Sequence, residues 1–125
     1  MKVLVIHRIN DGIYQGKGKE VAFMGLQAFA LFNYLKKHTV DVAIYNEVYG
    51  DDFVNLQKND IFLIMFHPYN YEKNLELITT IRQKNSNAYI LGFGICSFGD
   101  YLSDSKILDI PFFTTWVEQK VLYVL

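Results

Sequence analysis

The sequence predicts an α/β fold, in which a doubly wound, five-stranded parallel sheet is covered by helices on both faces. Short apolar stretches rich in β-branched and aromatic residues alternate along the chain with segments of helical periodicity. Strands that alternate with helices form parallel sheets, because right-handed crossovers return the chain to the same edge. A chain of 125 residues is long enough for one core. We therefore expect residues 1–125 to form a single three-layer domain.

Five segments have the composition of strands. Residues 2–7 and 60–66 are continuously apolar in their interiors, which is typical of strands that are covered on both faces. Residues 40–46 alternate between apolar and polar side chains before turning polar, and this pattern predicts another strand. We expect the remaining two strands within residues 88–94 and 109–113.

Two helices are predicted with well-defined ends. Apolar residues recur near helical spacing over residues 21–38, and Lys36 and Lys37 suit the negative carboxyl end of the helix dipole. A second helix is expected over residues 71–84, with Asn70 as its amino-terminal cap. Further helical segments are expected at residues 99–108 and 114–125.

Composition excludes several classes of protein. With 51% hydrophobic residues the chain is globular rather than disordered. Its 12 basic and 13 acidic residues are well mixed, so no nucleic-acid partner is expected. Cys96 is the single cysteine, and the chain starts directly with a strand, so we expect a cytoplasmic location. No apolar run approaches about 20 residues, so no membrane span is expected.

Glycines are concentrated in two segments, one over residues 12–18 and one that holds Gly92, Gly94 and Gly99. In the flavodoxin-like strand order 2-1-3-4-5, both segments follow carboxyl ends of strands. Sheets of this kind bind ligands beyond those ends, near the switch point between strands one and three. A glycine lets other atoms approach the backbone closely. We therefore expect a ligand or a partner along this edge.

The chemistry of the residues favours some kinds of site at this edge and argues against others. The first glycine segment lacks the spacing of a Walker or dinucleotide motif, so a nucleotide cradle is not favoured. A receiver domain needs acidic residues where His7 and His67 stand. These two histidines could meet, but no further ligand is evident beside them, so no metal site is predicted. Cys96 is expected to fill space rather than act as a nucleophile. A small flavin or nucleotide site of flavodoxin type stays open.

The order of the segments resembles a known family. The chain begins with KVLVIHRIN, a long loop and GLQAFALFNYLKKHTVDVAIYN, and continues through DIFLIMF, YEKNLELITTIRQKNSNAYILGFG and DIPFF. In this order and spacing the segments are similar to the amino-terminal cobalamin-binding domain of the B12-dependent radical SAM enzymes. The resemblance covers essentially the whole chain. It implies a Rossmann-like domain that holds cobalamin flat against the carboxyl edge of the sheet.

The resemblance also implies which residues contact the cofactor. In the family the contacts come from the loops after the first, third, fourth and fifth strands. Carried over to this sequence, they are Tyr14 and Gln15 in the first loop, His67, Pro68 and Tyr69 after strand three, Gly92, Gly94 and Ile95 after strand four, and Thr114 and Thr115 after strand five.

Two functions follow from these observations. The leading hypothesis is a stand-alone cobalamin-binding module that docks to a separate radical SAM or other biosynthetic enzyme. The chain has no cluster-binding cysteine motif, so it is not expected to catalyse that chemistry alone. The alternative is a degenerate domain without cofactor that serves as an interaction or regulatory subunit, with a homo-oligomer as one form. It is favoured by Phe93 between two glycines, by FHPYN after strand three and by the many aromatic residues, since such side chains anchor interfaces as readily as cores.

Overall fold

The structure, a computed structural model, describes residues 1–8, 26–46, 58–66, 70–94 and 110–125. Within these ranges none of the helices combines the length and the apolar character needed to cross a bilayer. The strands are β1 (Val3–His7), β2 (Val42–Asn46), β3 (Ile61–Phe66), β4 (Tyr89–Gly94) and β5 (Phe112–Phe113), and the helices are α1 (Leu26–Lys37), α2 (Tyr71–Lys84) and α3 (Val117–Val124).

The strands form one sheet in the order β2-β1-β3-β4-β5, and every neighbouring pair is parallel. This confirms the predicted α/β, flavodoxin-like fold and its strand order. The direction of winding reverses between β1 and β3, because the chain passes from β1 to β2 on one side and from β3 to β4 and β5 on the other. A crevice beyond the carboxyl ends at such a point is where doubly wound sheets bind ligands.

The central strands β1 and β3 are buried along their whole length. They are apolar on both faces because α2 covers one face, while α1 and α3 cover the other. Side chains alternate between the two faces, so each strand contributes to two core layers. The layer under α2 includes Leu4, Ile6, Phe62, Ile64, Phe66, Leu77, Ile78 and Ile81. The layer under α1 and α3 includes Val5, Leu31, Leu35, Leu63, Met65, Phe93, Val117 and Val121.

Different local features mark the carboxyl end of α1 and the start of α2. Thr39 has a φ of 61°, and the N–H of Val40 donates to the carbonyl oxygen of Leu35 at 3.2 Å, so a left-handed residue closes α1. Helix α2 starts at Tyr71, as predicted, and Asn70 occupies the N-cap position. The expected capping role of Asn70 is wrong, however, because its side chain makes no capping hydrogen bond.

The predicted bounds of the last strand and the last helix differ from the observed bounds. Strand β5 comprises only Phe112–Phe113 of the expected residues 109–113, and α3 starts at Val117 because residues 114–116 form bends. The expected helical segment at residues 99–108 lies outside the described residues.

Candidate functional site at the carboxyl edge of the sheet

The candidate site is the edge at which the strands end. Parallel pairing brings these ends together, and Phe66 at the end of β3 lies opposite Gly94 at the end of β4. Among the predicted cofactor contacts, Gly92, Gly94, Thr114 and Thr115 belong to the part of the chain that the structure describes. The others, which are Tyr14, Gln15, His67, Pro68, Tyr69 and Ile95, lie outside it.

Gly92 lies inside β4 and has a packing reason to be glycine. A Cβ atom built on Gly92 would lie 2.5 Å from Cδ2 of Phe112 and 3.2 Å from Cε1 of Phe66. The two rings pack edge to face, with 5.5 Å between their centroids. The close approach expected at this glycine is therefore made by an aromatic side chain of the same chain. A cofactor contact at Gly92 stays a prediction and is not needed to explain the residue.

Gly94 is the last residue of β4 and is buried. The neighbouring Phe93 is 0% exposed, and its ring belongs to the core layer under α1 and α3. Alternation along the strand sends the Phe93 ring to that layer. The phenylalanine between the glycines therefore adds its bulk to the core rather than to an exposed surface.

Two buried asparagines join the ends of β1 and β3 at the switch point. The Nδ2 group of Asn70 donates to the carbonyl oxygen of Arg8 at 2.8 Å and to that of Met65 at 3.0 Å. The Nδ2 group of Asn74 donates to the same Met65 carbonyl at 3.1 Å and to Oδ1 of Asn70 at 3.0 Å. Both asparagines are 0% exposed. The pair ties the first residue after β1 to β3 through α2.

The sequence pattern alone does not point to Asn74 as a site residue. The available signal was the spacing of four residues from Asn70, which places both side chains on one face of α2. Because each amide nitrogen carries two hydrogens, both nitrogens are saturated by the bonds described above. The Oδ1 atom of Asn74, in contrast, is buried and has no hydrogen-bond partner among the described residues.

His7 and His38 lie at opposite edges of the sheet. His7 ends β1 and is 0% exposed, whereas His67 lies outside the described residues, so their expected proximity stays a prediction. His38 lies at the far end of α1, where it is exposed and its Nδ1 is 2.9 Å from the carbonyl oxygen of Tyr34. Within the described ranges no group of three or more side chains is arranged to hold a metal ion.

Residues 114–116 form the exposed connection from β5 to α3. Trp116 is 73% exposed, and it has left-handed backbone angles of φ 53° and ψ 40°. Lys120 supports this connection, because its Nζ donates to Oγ1 of Thr115 at 3.3 Å and its backbone N–H donates to the carbonyl oxygen of Trp116 at 3.0 Å. The same ammonium lies 5.6 Å from the ring centroid of Phe113.

A cavity of about 340 Å³ lies at the opposite, amino edge of the sheet. Its charged and polar lining comes from surface side chains with both signs of charge. It is remote from the strand ends that the sequence singled out. The lining residues are Lys2, Val3, Leu4, Asp41, Ala43, Lys58 and Asn59.

Comparison with known proteins gives no family model, no curated protein and no solved structure that matches the chain significantly. The resemblance to cobalamin-binding domains therefore stays a prediction from the sequence.

Proposed function

We propose that this chain is a cobalamin-binding module that holds the cofactor at the carboxyl edge of its sheet. In this proposal it works with a separate radical SAM enzyme or another biosynthetic enzyme. The observation that carries the proposal is the all-parallel order β2-β1-β3-β4-β5. That order has a switch point between β1 and β3, and ligands of such sheets bind beyond the strand ends there. The segments that resemble the cobalamin-binding domain run through the same strands in the same order.

The described part of the edge has chemistry that suits cobalamin. The cofactor is a large, flat ring system with amide side chains on its rim. Thr114 and Thr115 are exposed after β5, and their hydroxyls can both donate and accept hydrogen bonds. Near the switch point, Oδ1 of Asn74 is an acceptor without a partner among the described residues. When bound, the cofactor would supply cobalt chemistry to the partner enzyme, while this chain binds and orients it.

Retention of cobalamin tests the proposal. The purified protein is mixed with hydroxocobalamin and desalted, and the visible spectrum of the protein fraction is recorded. We expect stoichiometric corrin absorption at micromolar protein, because the flat ring would lie against the strand ends. A protein fraction without corrin absorption would reject the cofactor assignment.

Two matched variants test where the cofactor binds. Thr114→Trp adds bulk at the carboxyl edge, and we expect it to weaken retention roughly tenfold, which corresponds to about 1.4 kcal/mol. Asn87→Trp adds the same bulk to the exposed turn before β4, at the amino edge, and should bind like the wild type. If both variants retain cobalamin equally well, the cofactor does not bind at the end of β5.

A second candidate function, an interaction subunit without cofactor, is favoured by a different surface. Tyr123 is 91% exposed and Val124 is 44% exposed on the last helix. Exposed tyrosines often anchor interfaces. This function predicts self-association through α3, so sedimentation at rising concentration should show a dimer for the wild type and a monomer for Tyr123→Ala. A wild-type chain that stays monomeric at high micromolar concentration would contradict it.

A further inference from the structure

Trp116 breaks two local preferences at the same position. Its φ of 53° lies in the left-handed region, which is unfavourable for residues other than Gly, Asn and Asp. It also occupies the N-cap of α3, where Ser, Thr, Asp, Asn and Gly are favoured, and its side chain makes no capping hydrogen bond. A glycine or an asparagine would satisfy both preferences. Departures of this kind from local rules are expected mainly at functional or strained sites.

Burial does not compensate for this conformation, because 73% of Trp116 is exposed. Thr39 offers a direct comparison, since it is the other non-glycine residue with positive φ in the described ranges. The conformation of Thr39 closes α1 and is therefore explained by helix termination. Trp116 precedes a helix instead of ending one, so that explanation does not apply to it.

The backbone that carries the indole is held from two sides. Lys120 donates its backbone N–H to the Trp116 carbonyl at 3.0 Å and its ammonium to the Thr115 hydroxyl at 3.3 Å. The ammonium also lies over the Phe113 ring, at the end of β5. A large, rigid aromatic group on a fixed support loses little freedom on binding. The exposed indole is therefore carried by a backbone that is hydrogen-bonded before any ligand arrives.

We propose that Trp116 is a binding residue whose indole stacks on a flat, conjugated ring of the ligand at the carboxyl edge. Offset stacking between conjugated rings contributes favourable free energy in addition to that from the apolar area it buries. Trp116 directly follows Thr114 and Thr115, so one short connection offers a ring face and two hydroxyls. The inference rests on the proposed function for the location of the ligand. It adds a contact that the family resemblance does not imply.

The single tryptophan of the chain makes this proposal testable by fluorescence. Hydroxocobalamin and flavin mononucleotide are titrated into the wild type, and we expect the emission of Trp116 to be quenched on binding. Equilibrium dialysis then compares the Trp116 variants, which have no indole emission. Trp116→Ala should weaken binding roughly tenfold, whereas Trp116→Phe should stay within about threefold, because it keeps an aromatic face. Tyr89→Ala, which removes an exposed aromatic ring at the start of β4, is the matched control and should bind like the wild type.

The outcomes separate this inference from the proposed function. If Trp116→Ala binds hydroxocobalamin as tightly as the wild type, stacking is overturned while the proposed function stands. If only flavin mononucleotide binds, and Trp116→Ala weakens that binding, the stacking role of Trp116 is supported and the cobalamin assignment is rejected. If neither probe binds the wild type, both are overturned. Equal losses in Trp116→Ala and Tyr89→Ala would also overturn stacking, since Tyr89 lies at the amino edge of the sheet.

Thermal unfolding distinguishes a binding role of Trp116 from a folding role. Trp116→Gly should unfold roughly 3–6 °C above Trp116→Ala, because glycine removes the strain of the positive φ. Both variants should bind the ring probe equally weakly. Thr39→Gly is the control for strain alone, and it should raise the unfolding temperature without changing binding. A Trp116→Gly variant that is less stable than Trp116→Ala would show that the residue is not strained, and this would overturn the inference.

Discussion

The substitution Asn70→Asp is expected to destabilise the fold by about 3 kcal/mol at neutral pH. The change keeps the size of the side chain but replaces the Nδ2 donor with an oxygen, which would then face the carbonyl oxygens of Arg8 and Met65. Each buried polar group that loses its partner costs about 1–3 kcal/mol, and an uncompensated buried charge costs more. The free energy of unfolding can be measured by urea denaturation with circular dichroism.

This substitution discriminates between two roles of Asn70. Aspartate is as good an N-cap as asparagine, and its charge favours the start of a helix, so a capping role predicts no loss of stability. The matched control is Asn85→Asp at the other end of α2, where Nδ2 donates to the carbonyl of Asn59 at 2.8 Å in a partly buried setting. We expect about 1 kcal/mol there. If Asn70→Asp proves as stable as the wild type, the side chain does not bridge the strands.

The substitution Gly92→Ala is expected to destabilise the fold by about 2 kcal/mol. The added Cβ would lie 2.5 Å from Cδ2 of Phe112 and 2.9 Å from its Cε2, so the ring has to move. Overpacking of a core typically costs about 1–3 kcal/mol. We expect the middle of that range because Phe112 belongs to a strand of only two residues, which can shift. The same urea titration measures the loss.

A double-mutant cycle identifies the cause of that loss. Phe112→Leu alone should cost about 1–2 kcal/mol through lost packing, but in the Gly92→Ala background it removes the clash and should recover most of the stability. The two changes should therefore be coupled by more than about 1 kcal/mol. If instead Gly92→Ala leaves stability unchanged and weakens cobalamin retention, the glycine serves the ligand and not the packing.

Ligand experiments with substitutions at this edge should be interpreted together with stability. Asn70 lies at the switch point and Gly92 lies inside β4, and both support the packing of neighbouring strands. A loss of cobalamin from variants of either residue would therefore reflect unfolding as readily as a lost contact. Thr114 and Trp116 are exposed and provide the cleaner tests.

The elements and their order were predictable because the signals are local. The apolar run of β3 and the helical spacing of α2 each lie within one short segment, and the structure contains both nearly at the predicted residues. The alternation of strands with helices was then enough to predict parallel pairing. The positions after β3, β4 and β5 could be assigned to one edge for the same reason.

The roles of individual residues at that edge depended on contacts between distant parts of the chain. Asn70 looked like a helix cap because capping is a local property, but its amide donates to Arg8, 62 positions away. Gly92 looked like a place for a ligand, yet the atoms nearest to it belong to Phe112 on the adjacent strand. The sequence alone thus determined the sheet and the edge at which its strands end. Only the tertiary structure decided which side chains bridge strands, which fill the core and which face solvent, because hydrogen bonds and packing join residues without regard to their separation along the chain.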